Sequence, residues 1–119
     1  MRSKSIFQVL CLLCFFGTLP AAETAPAAEK GKIEALISHV EGLDNATFIR
    51  NGSDYSAANA AKFLRAKWKR NDKEVKTADD FIAKVASVSG TSGKPYVIRF
   101  KDGKEMPCGG YLAAQLKKL

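Results

Sequence analysis

The order of its periodic segments constrains the fold of this chain more than any other feature. Apolar residues recur at helical spacing in four segments and at strand-like spacing in three, and the resulting order is α-β-α-α-β-β-α. Helices and strands do not alternate regularly, which argues against a doubly wound parallel sheet. The order predicts an α+β fold, with a small, mostly antiparallel sheet of about three strands covered by about four helices.

Turn and cap residues set the expected limits of these segments. The pairs Asn51-Gly52 and Asp102-Gly103 are typical of tight turns, and Thr77 indicates a helix start. We expect helices at about 32–43, 56–70, 77–86 and 111–119, and strands at 46–50, 96–100 and 104–106. The main contact between helices and sheet is expected to involve Leu64, Trp68, Phe81, Ile82, Val85, Val97 and Ile98.

Residues 1–22 have the layout of a secretory signal peptide. Arg2 and Lys4 precede an apolar run at 6–16, and Ala21-Ala22 supply the small residues of a cleavage site. The run is shorter than the roughly 20 residues that span a bilayer, and a short N-terminal anchor is the alternative. We expect a flexible leader over 23–31 and a single α+β domain over 32–119. The mature chain should have no transmembrane segment and be periplasmic or secreted.

Cysteine content and charge bound the class of protein and its partners. Loss of the signal peptide leaves Cys108 as the one remaining cysteine, so core packing must stabilise the fold without an internal disulfide. The net charge falls from +7 to +5 when Arg2 and Lys4 are removed. A basic exported protein meets anionic lipids, cell-wall polymers and acidic proteins. We expect an anionic envelope component or an envelope protein as partner, and no nucleic acid; the oligomeric state stays open.

The glycine-rich stretch 90–94 resembles a phosphate-binding loop at first reading. A P-loop needs G-x-x-x-x-G-K-[ST] between a strand and a helix. Val88 stands where the first glycine is required, and Pro95 stands where the hydroxyl residue is required. The predicted context is also inverted, because a helix precedes the stretch and a strand follows it. We interpret the stretch as a turn that leads into strand 96–100, with Lys94 facing outward as a single anion contact.

Segment 62–76 carries seven basic residues and two acidic ones. The aromatic and aliphatic residues between these charges suggest binding to a membrane surface or an acidic partner. The alternative, which we favour, is a solvated outer face with Leu64 and Trp68 packed in the core. We predict weak, salt-sensitive binding to anionic lipid or cell-wall material through Lys62, Arg65, Lys69, Arg70 and Lys73. The alternative is that these charges only keep the protein soluble.

The sequence contains no recognisable catalytic constellation. His39 is the only histidine, and Cys108 is the only cysteine outside the signal peptide. A Cys-His pair can act as nucleophile and base, but no motif brings these two residues together. Both residue types are too few for a metal site. We therefore predict no catalytic residue, no metal and no cofactor, in a protein that is not an enzyme.

Four blocks of sequence resemble a known family. They are "FIRNG" (48–52), "AAKFLRAKW" (60–68), "KTADDFIAKVAS" (76–87) and "SGKPYVIRFKDG" (92–103). In this order they resemble the YfeK-like family of short exported bacterial proteins, a domain family of unknown function, over about 33–119. The family pattern often has a His before the Leu-Arg pair of the second block, where this chain has Phe63. The resemblance implies a periplasmic or secreted location and no assigned activity, cofactor or catalytic residue.

If the two main strands lie side by side, several positively charged side chains and one tyrosine would lie close together. These are the candidate binding residues. The alternative is that Arg50 and Arg65 pair with structural carboxylates such as Asp54 or Asp80. The function expected is a small, non-catalytic binding or accessory module of the cell envelope; the alternative is an enzyme with an unrecognised site near Cys108 or near Arg50, Arg65 and Lys94. The candidates are Arg50, Arg65, Lys69, Arg70, Lys94 and Tyr96.

Overall fold

The structure, a computed structural model, describes residues 25–119, and the predicted signal peptide lies outside them. The described residues form four helices and a four-stranded antiparallel sheet, which confirms the α+β class with one strand more than predicted. The elements are helix α1 (Ala27–Glu41), strands β1 (Ala46–Arg50) and β2 (Ser53–Tyr55), helix α2 (Ala57–Arg70), a 3-10 turn (Asp72–Glu74), helix α3 (Ala78–Phe81) continued by a π-helical segment (Ile82–Ala86), strands β3 (Val97–Phe100) and β4 (Glu105–Pro107), and helix α4 (Cys108–Leu116).

The sheet has the strand order β2-β1-β3-β4. In the central pair, Phe48 of β1 lies opposite Ile98 of β3, and both side chains are buried under the helices. Strand β2 is the one that the sequence did not predict. It forms because Asn51 and Gly52 both adopt positive φ, +52° and +81°, which is the conformation of a two-residue hairpin turn.

The core between helices and sheet contains most of the residues that we expected. Leu64, Phe81, Ile82, Val85 and Ile98 are buried, together with apolar residues of helix α1. Trp68 is only partly buried, and its ring packs edge-to-face on Phe81 with the centroids 6.0 Å apart. Trp68 thus packs against the core and keeps part of its side chain exposed.

Two helices begin earlier than their sequence patterns predict. Helix α1 starts at Ala27 and so includes the last part of the expected leader. Its first turn is held in place because the Glu29 carboxylate accepts a hydrogen bond of 2.8 Å from the backbone N–H of Ala78. Helix α4 starts at Cys108 and includes Gly109, which lies so close to Ser87 that a β-carbon there would clash with the Ser87 hydroxyl oxygen.

The glycine-rich stretch is a tight turn between the π-helical segment and strand β3. Ser89 N–H donates to the Lys94 carbonyl at 2.9 Å, and Gly93 N–H donates to the Ser89 carbonyl at 2.8 Å. Gly93 has a φ of +73°, which favours glycine. The turn therefore carries the chain into β3, in agreement with our interpretation of its sequence.

Within residues 25–119, none of the helices combines the length and the apolar character that crossing a membrane requires.

Candidate functional site

A pocket of about 360 Å³ opens between helix α2, the end of β1, the π-helical segment and the glycine-rich turn. Helix α2 contributes Lys67 and Arg70, and Phe63 one turn earlier lies on the same face. Four basic side chains line this cationic pocket: Arg50, Lys67, Arg70 and Lys84. Among the described residues, no Asp or Glu lines it.

Lys67 lies at the centre of the cationic pocket. The residue is only 8% exposed. Its ammonium group donates hydrogen bonds of 2.8 Å to the Val88 carbonyl and 2.9 Å to the Tyr96 hydroxyl. Burial lowers the pKa of Lys67 below its ordinary value, and the nearby Arg70 and Arg50 lower it further. Within residues 25–119 it forms no ion pair, so the buried cation is held by neutral groups alone.

The Arg50 guanidinium forms a second wall of the pocket. Its central carbon lies 4.3 Å from the centroid of the Phe63 ring and 5.4 Å from that of Tyr55. One N–H group donates a long hydrogen bond of 3.5 Å to the Tyr55 hydroxyl. Cation–π attraction to the ring face leaves the other N–H groups available in the plane of the guanidinium. Arg50 is therefore placed to form hydrogen bonds with an anion in the pocket.

The rim of the pocket is polar and is fastened to the β1–β2 turn. The Asn51 amide donates a hydrogen bond of 3.1 Å to the Ser89 hydroxyl and accepts one from Ser92. The hydroxyl oxygens of Ser89 and Thr91 are 3.0 Å apart. This network holds Gly90 and Thr91 at the mouth of the cationic pocket.

The structure brings together three of the six predicted binding residues. Arg50, Arg70 and Tyr96 line the cationic pocket. Arg65 and Lys69 lie on the opposite face of helix α2, where they line a second depression of about 270 Å³ beside Trp68. The sixth, Lys94, is exposed in the glycine-rich turn.

Arg65 has carboxylate partners that differ from those we considered. Its guanidinium lies 3.4 Å from Glu34 and 3.5 Å from Glu41, both on helix α1. Asp54 instead pairs with Arg99 at 3.4 Å. Asp80 accepts a hydrogen bond of 2.9 Å from the Lys76 backbone. Arg65 thus has two carboxylate neighbours, whereas Arg50 has aromatic ones.

Lys67 and Lys84 are pocket residues that sequence reasoning did not identify. Lys67 was one of seven basic residues in segment 62–76, and nothing in that count separates it from the others. The available signal was its spacing. Lys67 follows Leu64 by three residues and Ala60 by seven, so it stands on the buried stripe of helix α2, where a lysine is unusual.

The surroundings of Cys108 and His39, the two residues considered for nucleophilic chemistry, do not favour that chemistry. Cys108 is 1% exposed, and burial raises the pKa of its thiol to about 12, so the thiol is protonated at neutral pH. The Nε2 atom of His39 lies 2.7 Å from the Tyr111 hydroxyl, in an exposed contact. Among residues 25–119, no cluster of three or more His, Cys, Asp or Glu side chains could hold a metal ion.

Comparison with known proteins finds similarity along nearly the whole described part of the chain. Residues 27–119 match a family of unknown function, DUF5329. The chain is 37% identical over 93 residues to the Salmonella typhimurium protein named Uncharacterized protein YfeK, and the match covers 78% of this chain and 75% of that protein. No solved structure matches the chain.

Proposed function

Because the chain belongs to the DUF5329 family of unknown function, its role must be argued from its own residues, and we propose that it is an exported, non-catalytic protein that binds an anionic group in the cationic pocket. The family membership confirms the resemblance to YfeK-like proteins. The observation that carries the proposal is Lys67, a buried ammonium that contacts a carbonyl and a phenol but no carboxylate among the described residues.

The electrostatics of the pocket favour an anion. A buried charge is costly unless it is paired, and the pKa of Lys67 is lowered by burial and by two neighbouring guanidinium groups. Opposite charges about 4 Å apart attract by about 4 kcal/mol at the effective dielectric constant of a protein surface. An anion between Lys67, Arg50 and Arg70 would therefore relieve repulsion at all three groups.

The composition of the pocket supports binding rather than chemistry. Within the described chain, the lining includes no thiol, imidazole or carboxylate. Its one amine with a lowered pKa, Lys67, donates to the Val88 carbonyl and the Tyr96 hydroxyl and activates neither the Ser89 nor the Thr91 hydroxyl. The groups of the alternative enzyme site also lie apart: Arg50 is in the pocket, Arg65 is on the other face of α2, and Lys94 is in the turn. The export of the protein is supported by the signal-peptide layout of residues 1–22.

Two neighbouring substitutions on helix α2 test the proposal. Arg70→Gln and Lys69→Gln each remove one positive charge from an exposed position, but only Arg70 lines the cationic pocket. Titration calorimetry with inorganic phosphate at low salt should give saturable binding to the wild type and to Lys69→Gln. Arg70→Gln should bind about tenfold more weakly, since hydrogen bonds to charged groups are among the stronger ones.

The same titration separates pocket binding from general attraction to a basic surface. If the surface charge of segment 62–76 were responsible, the two variants would lose affinity equally, and that result would refute the pocket. Attraction between exposed charges is screened over about 8 Å at physiological salt. A response to salt alone therefore does not distinguish pocket binding from general attraction to a basic surface. Absence of phosphate binding to the wild type at low salt would also refute the proposal.

A further inference from the structure

The number and kind of the cations indicate the charge of the ligand. Arg50, Lys67 and Arg70 all line the cationic pocket, so three cationic groups face the same space. A singly charged carboxylate would offset only one of them. A phosphate monoester carries about −1.5 to −2 at pH 7, and its oxygens match the planar fork of arginine. The cluster is thus better suited to a phosphate monoester than to a monoanion.

The size of the pocket indicates that the ligand is more than a phosphate ion. The cationic pocket measures about 360 Å³, far more than the roughly 10–15 Å³ that a single water needs. Ligand-binding pockets in proteins have volumes of about 300–1,000 Å³. The cationic pocket falls at the lower end of this range, which leaves room for a small organic group beside the phosphate.

The residues around the mouth indicate the character of that organic group. Thr91 and Ser89 bring hydroxyl groups, and Asn71 brings an amide whose nitrogen already donates a hydrogen bond of 2.8 Å to the Lys67 carbonyl. The amide oxygen of Asn71 remains an acceptor at the end of helix α2, where the residue lines the pocket. Val88, which is 40% exposed, provides an apolar contact beside these polar groups. A carbon skeleton that carries hydroxyl groups fits this mixture.

On the basis of the proposed function, we infer that the cationic pocket binds a small polyol phosphate or sugar phosphate. The phosphate monoester lies among Arg50, Lys67 and Arg70, and the hydroxylated skeleton lies along Asn71 and Thr91 at the rim. The recognition is non-covalent, and no bond is formed or broken. The same chemistry occurs in free phosphate esters and in the head groups of membrane lipids, and titration together with vesicle sedimentation distinguishes these sources.

The test compares two phosphate monoesters of equal charge and equal carbon number. Glycerol 3-phosphate carries two hydroxyl groups that propyl phosphate lacks. By titration calorimetry, glycerol 3-phosphate should bind the wild-type protein about tenfold more tightly than propyl phosphate, which corresponds to one or two additional hydrogen bonds. Thr91→Val, which removes the rim hydroxyl at constant shape, should lower this ratio to about threefold, and Lys69→Gln, outside the cationic pocket, should leave it at about tenfold.

The outcomes separate the ligand class from the proposed function. Equal affinities for the two esters would overturn the inference while leaving anion binding intact. Loss of binding of both esters in Arg70→Gln but not in Lys69→Gln would support the assignment of the phosphate to the cationic pocket. Sedimentation with phosphatidylglycerol vesicles, whose phosphodiester is a monoanion, should be weak. Strong sedimentation that glycerol 3-phosphate does not compete away would overturn the inference that the ligand is a free phosphate monoester, and would point to a lipid surface.

Discussion

The ammonium nitrogen of Lys67 donates a hydrogen bond of 2.9 Å to the hydroxyl oxygen of Tyr96, which lies 29 residues further along the chain. This bond joins the basic helix α2 to the residue that precedes strand β3. The Tyr96 backbone in turn accepts a hydrogen bond of 2.8 Å from Cys108 N–H, at the start of helix α4. Tyr96, which lines the cationic pocket, is therefore tied to helix α2 through its side chain and to helix α4 through its backbone.

The lowered pKa of Lys67 predicts a change of stability with pH. The unfolded chain binds the Lys67 proton with the ordinary pKa near 10.4, whereas the folded protein releases it at a lower pH. Between these two values the unfolded state holds more protons, so the free energy of unfolding rises as the pH rises. The gain in stability is absent below the folded pKa and is complete above the unfolded one.

Urea unfolding of wild type and Lys67→Met measures this effect. The difference in unfolding free energy between the two proteins should shift in favour of the wild type from neutral pH to about pH 9, where tyrosines are still largely protonated. Lys69→Met, on the opposite face of α2, serves as the control and should follow the wild type at every pH. Parallel curves for wild type and Lys67→Met would contradict a lowered pKa.

The contacts of the Asn51 side chain predict that the pocket rim can be loosened without unfolding the β1–β2 turn. Asn51 has a φ of +52°, and its amide bonds to Ser89 and Ser92. In Asn51→Gly the backbone conformation is easily retained, but both side-chain hydrogen bonds are lost. We expect a change of less than about 1 kcal/mol in global stability, with faster amide hydrogen exchange in the glycine-rich turn.

Hydrogen exchange followed residue by residue checks this expectation. Gly52→Ala provides the opposite case. Gly52 has a φ of +81°, and a β-carbon added there would meet no atom within 4 Å. The substitution therefore strains the backbone of the turn and disturbs no neighbouring side chain. That variant should lose global stability and leave the protection of residues 89–94 unchanged relative to the rest of the chain. If Asn51→Gly left exchange in the glycine-rich turn unchanged, the side chain would not fasten the rim.

The overall order of elements could be predicted from the sequence because periodicity and turn residues agree along most of the chain. The missed strand β2 has only three residues, and two of them, Ser53 and Asp54, are exposed, so it lacks an apolar alternation. The early start of α4 was missed because two adjacent glycines have low helix propensity. In the folded protein Gly109 also lies against Ser87, a tertiary contact that no local pattern records.

The candidate site could be predicted only in part, since composition does not tell on which face of a helix a charge lies. Arg50, Arg70 and Tyr96 were named and line the cationic pocket. Arg65 and Lys69 were named for the same reason, but they point away from it, because a helix turns by about 100° at each residue. Lys67 could be singled out only by its position on the buried stripe of helix α2, and its contact with Tyr96 depends on the folded chain.

The two adjacent glycines of helix α4 predict opposite effects of the same substitution. A β-carbon at Gly109 would clash with the Ser87 hydroxyl oxygen and lie 3.3 Å from the Ser87 β-carbon, whereas one at Gly110 would have no atom within 4 Å. Gly109→Ala should destabilise the protein by about 1–3 kcal/mol through overpacking. Gly110→Ala should be neutral or stabilise it by up to about 1 kcal/mol through helix propensity.

Thermal unfolding of the single and double variants tests the cause. Ser87→Ala loses a hydrogen bond of 2.6 Å to the Ile82 carbonyl and should be destabilising on its own. In combination with Gly109→Ala it should cost less than the sum of the two single changes, because the clashing oxygen is gone. Strict additivity would show that the Ser87 hydroxyl is not the obstacle.

Arg50 and Arg65, which sequence reasoning treated alike, should respond differently to the same change. Arg50 stacks on Phe63 in the cationic pocket, while Arg65 is 40% exposed and lies 3.4 Å and 3.5 Å from two carboxylates. Arg50→Met retains an apolar contact with Phe63 but removes the guanidinium. It should weaken phosphate binding by about tenfold to a hundredfold. Arg65→Met should leave phosphate affinity unchanged and alter stability by only about 0–1 kcal/mol. Calorimetric titration measures the phosphate affinity of both variants, and urea unfolding measures their stability. A larger loss of phosphate affinity in Arg65→Met than in Arg50→Met would place the anion on the other face of helix α2.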